Sequence, residues 1–308
     1  MDNQDIKVTI RCITYNQKDY IRQCLDGFVI QRTNFRFEAI VHDDASTDGT
    51  AEIVREYAEK YPDIIKPIFE TENQYSKHDG SLGRIMNANT RGKYVAICEG
   101  DDYWTDPLKL QKQADFLDAN PQCSLTYHAC KNVFSTPCKV KILYGESVKK
   151  SYSDIDIISL YPFQTATVMY RKEILDSDLY KKAQAIGCTA GDQILFLTES
   201  RLGTIEGVNE QMSVYRRHEG GISQHMHDAD KLWKNFKDWQ KVALLFGGEI
   251  SSLIKKNQLS EYILFAFCDK KYLLFLRLEA LSLIKSPISF VQSLKTILRF
   301  NYNRFFKK

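Results

Sequence analysis

Short apolar runs alternate with helix-period stretches along the first 120 residues, and this alternation restricts the fold more than any other feature of the chain. Ile6 to Thr14 reads as a first strand, β-branched and apolar. Lys18 to Gln31 places Ile21, Cys24, Leu25 and Phe28 at helical spacing. Phe37 to Val41 is a second buried strand, and Thr50 to Tyr61 a helix stopped by Pro62. Ile64 to Phe69, a helical stretch over 82–91 and Tyr94 to Cys98 continue the series. Strands that alternate with helices of this length predict right-handed βαβ units on a parallel sheet.

Past Pro107 the pattern changes. Leu108 to Ala119 is a polar helix, and Cys123 to Phe134 alternates like a strand. Thr165 to Tyr170 reads as another strand, Gly191 to Glu199 as a helix and Met212 to Arg216 as a short strand. The stretch 135–153 reads as loop or hairpin. From Leu232 onward only helical signals remain. The expected class is therefore α/β, a mixed and mostly parallel sheet flanked by helices, with a helical extension. The composition shift at Gly220-Gly221 divides the chain into 1–225 and 226–308.

Charge is uneven. The chain carries +3 overall, yet residues 271–308 hold eight Lys or Arg and one acid, Glu279. Such a basic, aromatic tail suits an interfacial helix on anionic lipid, or a bundle with its basic face solvated. No nucleic-acid recognition fold accompanies it, so nucleic acid is not the expected partner. The amino end is polar, and no apolar run approaches the 18 or so residues of a spanning helix. The eight cysteines form no C-x-x-C pair, as expected of reduced, buried thiols. A cytoplasmic protein, peripheral on the inner face of the membrane through its tail, is the expectation. Strand one runs into Tyr15-Asn16-Gln17-Lys18 with no G-x-G-x-x-G turn, which excludes a dinucleotide oxidoreductase. No G-x-x-x-x-G-K is present, which excludes a P-loop phosphotransferase.

Chemistry concentrates at strand ends. Glu99, Asp101 and Asp102 follow Tyr94 to Cys98, and three acids in four positions repel one another unless a cation or solvent relieves them. Mg²⁺ or Mn²⁺, hard ions with oxygen ligands, suit such a set and often bridge to phosphate. Thr14, Tyr15 and Asn16 end strand one, where an aromatic beside small polar groups can pack on a nucleobase and hydrogen-bond its edge. Asp43 and Asp44 end strand two, and their carboxylates can accept from a base N–H or ribose hydroxyls. Ser46 to Asp48 also supply cap chemistry. Trp104 reads as packing, and Tyr103 as packing or a sugar platform. Phe163 to Thr167 is either sugar-pocket wall or plain strand.

In that order, Thr14-Tyr15-Asn16, the run Asp43 to Thr50, Glu99-Gly100-Asp101-Asp102-Tyr103-Trp104 and Tyr215-Arg216-Arg217-His218 resemble the motif series of family 2 glycosyltransferases with the GT-A fold. The resemblance covers residues 6–223 and is to bacterial members of the surface-polysaccharide type. It implies a nucleotide-sugar donor, a UDP-sugar first, bound at the carboxyl edge of the sheet. It implies Mn²⁺ or Mg²⁺ held by Asp101, Asp102 and His218, with Arg216 near the diphosphate. Thr14, Tyr15, Asn16, Asp43, Asp44, Glu99 and Asp101 become donor-site residues, with Asp44, beside Asp43, reading the base. Glu99 stands where the family more often has Asp, and its longer side chain can reach ribose. Asp192 takes the place of the general base that deprotonates the acceptor hydroxyl, and Gly191 replaces the usual acid beside it. The implied reaction is inverting transfer of a hexosyl or N-acetylhexosaminyl group to a glycan or polyprenyl-linked acceptor. The alternative from another class is a nucleotide-sugar binding module without catalysis, which the departures at Glu99 and Gly191 keep open.

Overall fold

The computed structural model describes residues 5–134, 151–160, 162–187, 191–218 and 229–255. By internal contact the chain divides into two units, 1–219 and 220–308.

The first unit is built on β1 (Val8–Thr14), which lies between β2 (Phe37–Asp43) and β4 (Tyr94–Ile97) and pairs parallel with both. Val8, Ile10 and Cys12 are fully buried, as the central strand of a two-sided sheet requires. β3 (Ile65–Phe69) adds parallel to the far side of β2. Beyond β4 the sheet turns mixed: β8 (Met169–Arg171) pairs antiparallel with β4 and with β6 (Cys123–Phe134). β6 then runs parallel to β9 (Thr204–Arg217), against which β5 (Tyr103–Trp104) and β7 (Ser151–Tyr152) lie antiparallel. The order over the described residues is β3-β2-β1-β4-β8-β6-β9-β5.

Helices cover the sheet by the periodicity that the sequence shows. α1 (Lys18–Val29) buries Ile21, Cys24, Leu25 and Phe28, one stripe of the helix. α2 (Thr50–Lys60) buries Ala51, Val54 and Tyr57, and α4 (Lys109–Ala119) buries Leu110, Ala114 and Leu117. α3 (Ser81–Asn89) leads into β4 across a close backbone approach. A Cβ on Gly92 would stand 2.4 Å from the Thr9 nitrogen.

The chain leaves β1 toward β2 and β3, then returns to β4 on the other side of β1. This reversal opens a crevice beyond the carboxyl ends of β1 and β4, the place where open α/β sheets bind ligands. Residues 14–17 and 98–102 form its two lips.

Two expected strands differ from what forms. Thr165 to Thr167 is a 3₁₀ turn, and β8 covers only Met169 to Arg171. Side chains divert the carbonyls a ladder would need: Trp104 Nε1 donates to Ala166 O at 2.8 Å, and Gln113 Nε2 to Thr167 O at 2.9 Å. β9 begins eight residues before the expected Met212, its first half hidden by Glu206, Asn209, Glu210 and Gln211. Sequence reading also passes over α5 (Asp154–Leu160) and α6 (Asp178–Ala185), the latter capped by Ser177 Oγ, which accepts from the Tyr180 amide. α7 (Gly191–Leu202) forms where a helix is expected. Of the stretch 135–153, residues 135–150 lie outside the described residues, and so does the basic tail 271–308. In the second unit α8 (Ala229–Phe246) and a helical run over 248–255 match the helical expectation.

A buried lysine sits behind the crevice. Lys109 is fully buried, its Nζ 3.9 Å from the centroid of the Trp104 ring. Burial pulls its pKa down to about 7, with the neighbouring Cys98 pulling weakly the other way. The unfolded chain keeps this amine protonated up to its ordinary 10.5. Between those values unfolding takes up a proton, so the stability that Lys109 costs is recovered as pH rises from 7 toward 10.5. Lys109→Met, of similar volume, is expected to exceed the wild type by roughly 2 kcal/mol at pH 6. The gap should narrow by pH 9, as urea midpoints at the two pH values would show.

Candidate active site

The turns after β1 and β2 are stitched into one surface. Asn16, in the left-handed region at φ 51, accepts from the Thr47 amide at 2.8 Å and donates its own amide to Ser46 Oγ at 2.9 Å. Asp48 accepts from the Lys18 amide at 3.0 Å and from the Thr50 hydroxyl at 2.6 Å. Burial opposes its charged form, but these bonds outweigh it and hold the carboxyl below its ordinary range. The cap residues of the sequence therefore fix the loops.

Beside them lie acceptors with unspent capacity. Asp43 is 2 % exposed; Oδ2 accepts from the Ser46 amide, while Oδ1 has no hydrogen-bond partner among the described residues. Thr14 Oγ1 and Gln17 Oε1 are likewise buried and unmatched among them. Both face Gly100, where a Cβ would come within 2.4 Å of Gln17 Oε1 and 2.7 Å of Thr14 Oγ1. A glycine there lets the acidic loop close on the β1 turn. Asp44 is differently engaged: Oδ1 accepts from the Gln74 amide at 2.7 Å and Oδ2 from the Tyr75 amide at 3.0 Å. Its carboxylate anchors the loop that follows β3. Tyr15 is exposed at the lip of the crevice.

Across the crevice the acids crowd. Glu99 Oε2 accepts from Thr165 Oγ1 at 2.6 Å, so the 3₁₀ turn reaches the acidic loop. Burial above all, helped by the charges of Asp101 and Asp192, raises the Glu99 pKa to about 7 against the Thr165 hydrogen bond. Asp102 is 1 % exposed; burial first, then Asp101 and Glu99, push its pKa well up, although its Oδ1 accepts from the Arg216 amide at 2.8 Å. Asp101 Oδ2 lies 3.0 Å from His218 Nε2. Arg216 donates from Nη1 to the Asp101 carbonyl and from Nη2 to Gln23 Oε1, with its guanidinium carbon 4.3 Å from the Tyr103 ring centroid. Trp104 packs inward against Phe28 at 5.0 Å.

Asp192 stands in the first turn of α7, its Oδ1 accepting from the Gln193 amide at 2.7 Å. Its charge bears on Glu99 from 93 positions away in the chain. The structure thus gathers Asp101, Asp102, Arg216 and His218 in one cluster, with Glu99 beside it in the same loop and tied to Thr165. Thr14 and Asp43 face one another in register at the ends of β1 and β2.

The donor set fits a hard divalent ion. The buried Asp102 carboxylate feels the charges of Asp101 and Glu99, a repulsion that a cation would relieve, and an imidazole stands 3.0 Å from Asp101. Among the described residues no three His, Cys, Asp or Glu side chains converge as a ready-made cation cage. Asp101, Asp102 and His218 are the residues that would hold such an ion, and they supply only part of its ligands.

Three residues of this surface carry no mark in the sequence reading: Gln17, Tyr20 and Gln23. Tyr20 had a signal, an aromatic lying off the apolar stripe of α1. The two glutamines had none.

The sequence profile of glycosyl transferase family 2 matches residues 9–178. An uncharacterised protein of Mycobacterium tuberculosis strain H37Rv is 37% identical over 228 residues, 74% of this chain and 64% of that protein. The chain thus spans 64% of the length of this curated relative. A Bacillus subtilis protein named as a candidate teichuronic acid biosynthesis glycosyltransferase, TuaG, is 27% identical across 79% of this chain and 92% of its own. Among solved structures, residues 1–349 of S. aureus TarS in complex with UDP-GlcNAc align with a TM-score of 0.59 at 21% identity, over 85% of this chain and 73% of that one. The mannosyltransferase PcManGT of Pyrobaculum calidifontis, in complex with GDP-Man and Mn²⁺, aligns at 0.53 and 18% identity, over 99% and 89%. These likenesses show the fold, the mixed GT-A sheet flanked by helices. Asp192, Arg216 and His218 lie beyond the matched segment, but both acidic loops and the Thr14-Tyr15-Asn16 turn lie within it, and the chain belongs to glycosyl transferase family 2.

Proposed function

We propose that the protein transfers a sugar from a nucleotide-sugar, a UDP-sugar first, to a glycan or lipid-linked acceptor with inversion, in bacterial surface-polysaccharide assembly. One observation carries the reading. Asp101 and Asp102, which follow β4, meet Arg216 and His218 from the end of β9, a mixed acidic and basic cluster that brings together residues over a hundred positions apart at the carboxyl edge of the sheet. Such a cluster suits a diphosphate seat, and Asp192, in the first turn of α7, is the base that this reading sets against it for direct displacement.

The residues divide the work by their chemistry. Asp43 Oδ1 and Thr14 Oγ1 offer unmatched acceptors to the base and ribose, and the exposed Tyr15 ring offers a stacking face. Glu99, aligned by Thr165, takes a ribose or sugar hydroxyl. Asp101, Asp102 and His218 would hold Mn²⁺ or Mg²⁺. When bound, that ion neutralises the charge that builds on the departing diphosphate. Arg216 braces the loop from the other side. Asp192, in the first turn of α7, accepts the proton of the attacking acceptor hydroxyl.

The names of the relatives support a nucleotide-sugar donor and a wall-polymer product: UDP-GlcNAc in TarS, GDP-Man with Mn²⁺ in PcManGT, and teichuronic acid biosynthesis for TuaG. Among the described residues no helix is long and apolar enough to cross a membrane. The basic tail supports docking on anionic lipid, where a polyprenyl-linked acceptor resides.

Calorimetric titration of UDP, GDP, dTDP and CMP, each with Mn²⁺ and with EDTA, tests the reading. UDP is expected to bind about tenfold more tightly with Mn²⁺. Equal binding of all four, or indifference to Mn²⁺, would remove the UDP-sugar and the metal respectively.

A further inference from the structure

α1 turns two side chains toward the end of β9 that the proposed chemistry leaves without a task. Tyr20 and Gln23 stand three residues apart and share one face of the helix, away from the stripe that Ile21, Cys24, Leu25 and Phe28 bury. The Tyr20 ring centroid lies 4.5 Å from that of His218, with the planes inclined by 37°. The Arg216 guanidinium carbon lies 5.3 Å from the same Tyr20 ring, and Gln23 Oε1 accepts from Arg216 Nη2. One helix face thus meets both basic side chains that engage Asp101.

An imidazole near the end of a strand can rotate about two torsions, and only part of that range directs Nε2 at Asp101. A flat ring against its face removes most of the alternatives. Removing an outer group that orients a ligating histidine commonly costs about 10–100-fold in metal affinity. We infer that Tyr20 is a positioning residue for His218, its ring fixing the imidazole so that Nε2 faces Asp101. The inference rests on the metal–diphosphate reading of the site. The ring face makes the contact, so phenylalanine should serve in its place and an aliphatic side chain should not.

Electron paramagnetic resonance of free Mn²⁺, titrated with the full chain and UDP, reads the affinity without turnover. Four proteins suffice: wild type, Asp101→Ala, Tyr20→Phe and Tyr20→Leu, each with its urea midpoint. Tyr20→Phe is expected to stay within about twofold of wild type, and Tyr20→Leu to bind Mn²⁺ about tenfold more weakly at an unchanged midpoint. If Tyr20→Leu does not fold, Tyr20→Gln, suited to a helix surface, carries the same expectation. Wild-type affinity in Tyr20→Leu, with binding lost in Asp101→Ala, would overturn the role of Tyr20 and leave the metal site standing. Equal losses in Tyr20→Phe and Tyr20→Leu would overturn the ring contact. Undiminished binding in Asp101→Ala would overturn the metal site, and the role of Tyr20 with it.

Discussion

Asp192→Asn is expected to lower turnover by about a thousandfold while leaving UDP-sugar affinity within about twofold of wild type. The substitution conserves shape, and the amide oxygen can still accept from the Gln193 amide, so the start of α7 should hold. What is lost is the lone pair that takes the acceptor proton. A second change follows from electrostatics. The Asp192 charge helps raise the Glu99 pKa, so its removal should let Glu99 ionise at lower pH. Initial rates with a UDP-sugar and a soluble acceptor, beside calorimetry with UDP, separate the two effects. Full turnover in Asp192→Asn would assign the base elsewhere. Intact binding with no turnover in either protein would favour a nucleotide-sugar binding module.

Asp101→Ala should abolish the advantage that Mn²⁺ gives to UDP binding, a loss of about tenfold. Its effect on stability should run the other way. Asp101 is among the charges that push up the pKa of both Asp102 and Glu99, so its removal relieves repulsion in the metal-free protein. Arg216 Nη1 grips the Asp101 carbonyl, which alanine retains. In EDTA at pH 7 the variant should therefore melt no lower than wild type. Differential scanning in EDTA, with UDP titrations in Mn²⁺, checks both directions. A variant that melts much lower in EDTA would mean that Asp101 holds the fold rather than an ion.

The sheet's first half is legible because its inner strands are largely buried and carry continuous apolar runs, Ala39 to Val41 and Tyr94 to Cys98 among them. The acids stand out because adjacent carboxylates at a strand end exceed what a cap requires. Contacts made by polar side chains across the fold are not legible. Thr165 to Thr167 carries the β-branched, apolar composition of a strand, yet bonds from Trp104 and Gln113 make it a turn that reaches Glu99. Tyr20 and Gln23 read as solvated positions of an amphipathic helix, because nothing nearby in sequence announces the arrival of β9 nearly 200 residues later. Asp44 reads as one of a pair of like residues, and only the structure separates the two. Asp43 keeps an oxygen in reserve, while Asp44 commits both of its own to backbone.

That commitment leaves the loop after β3 open to change. Asp44 grips the amides of Gln74 and Tyr75, groups that every residue except proline possesses. The grip itself makes no demand on side-chain identity, so descendants of this chain could replace Tyr75 and keep this part of the backbone path, whereas the buried Gln74 side chain also binds Glu70 and the Glu72 carbonyl. A shelf beside the donor crevice that is pinned by its main chain is a place where selection can rewrite chemistry without first rebuilding architecture.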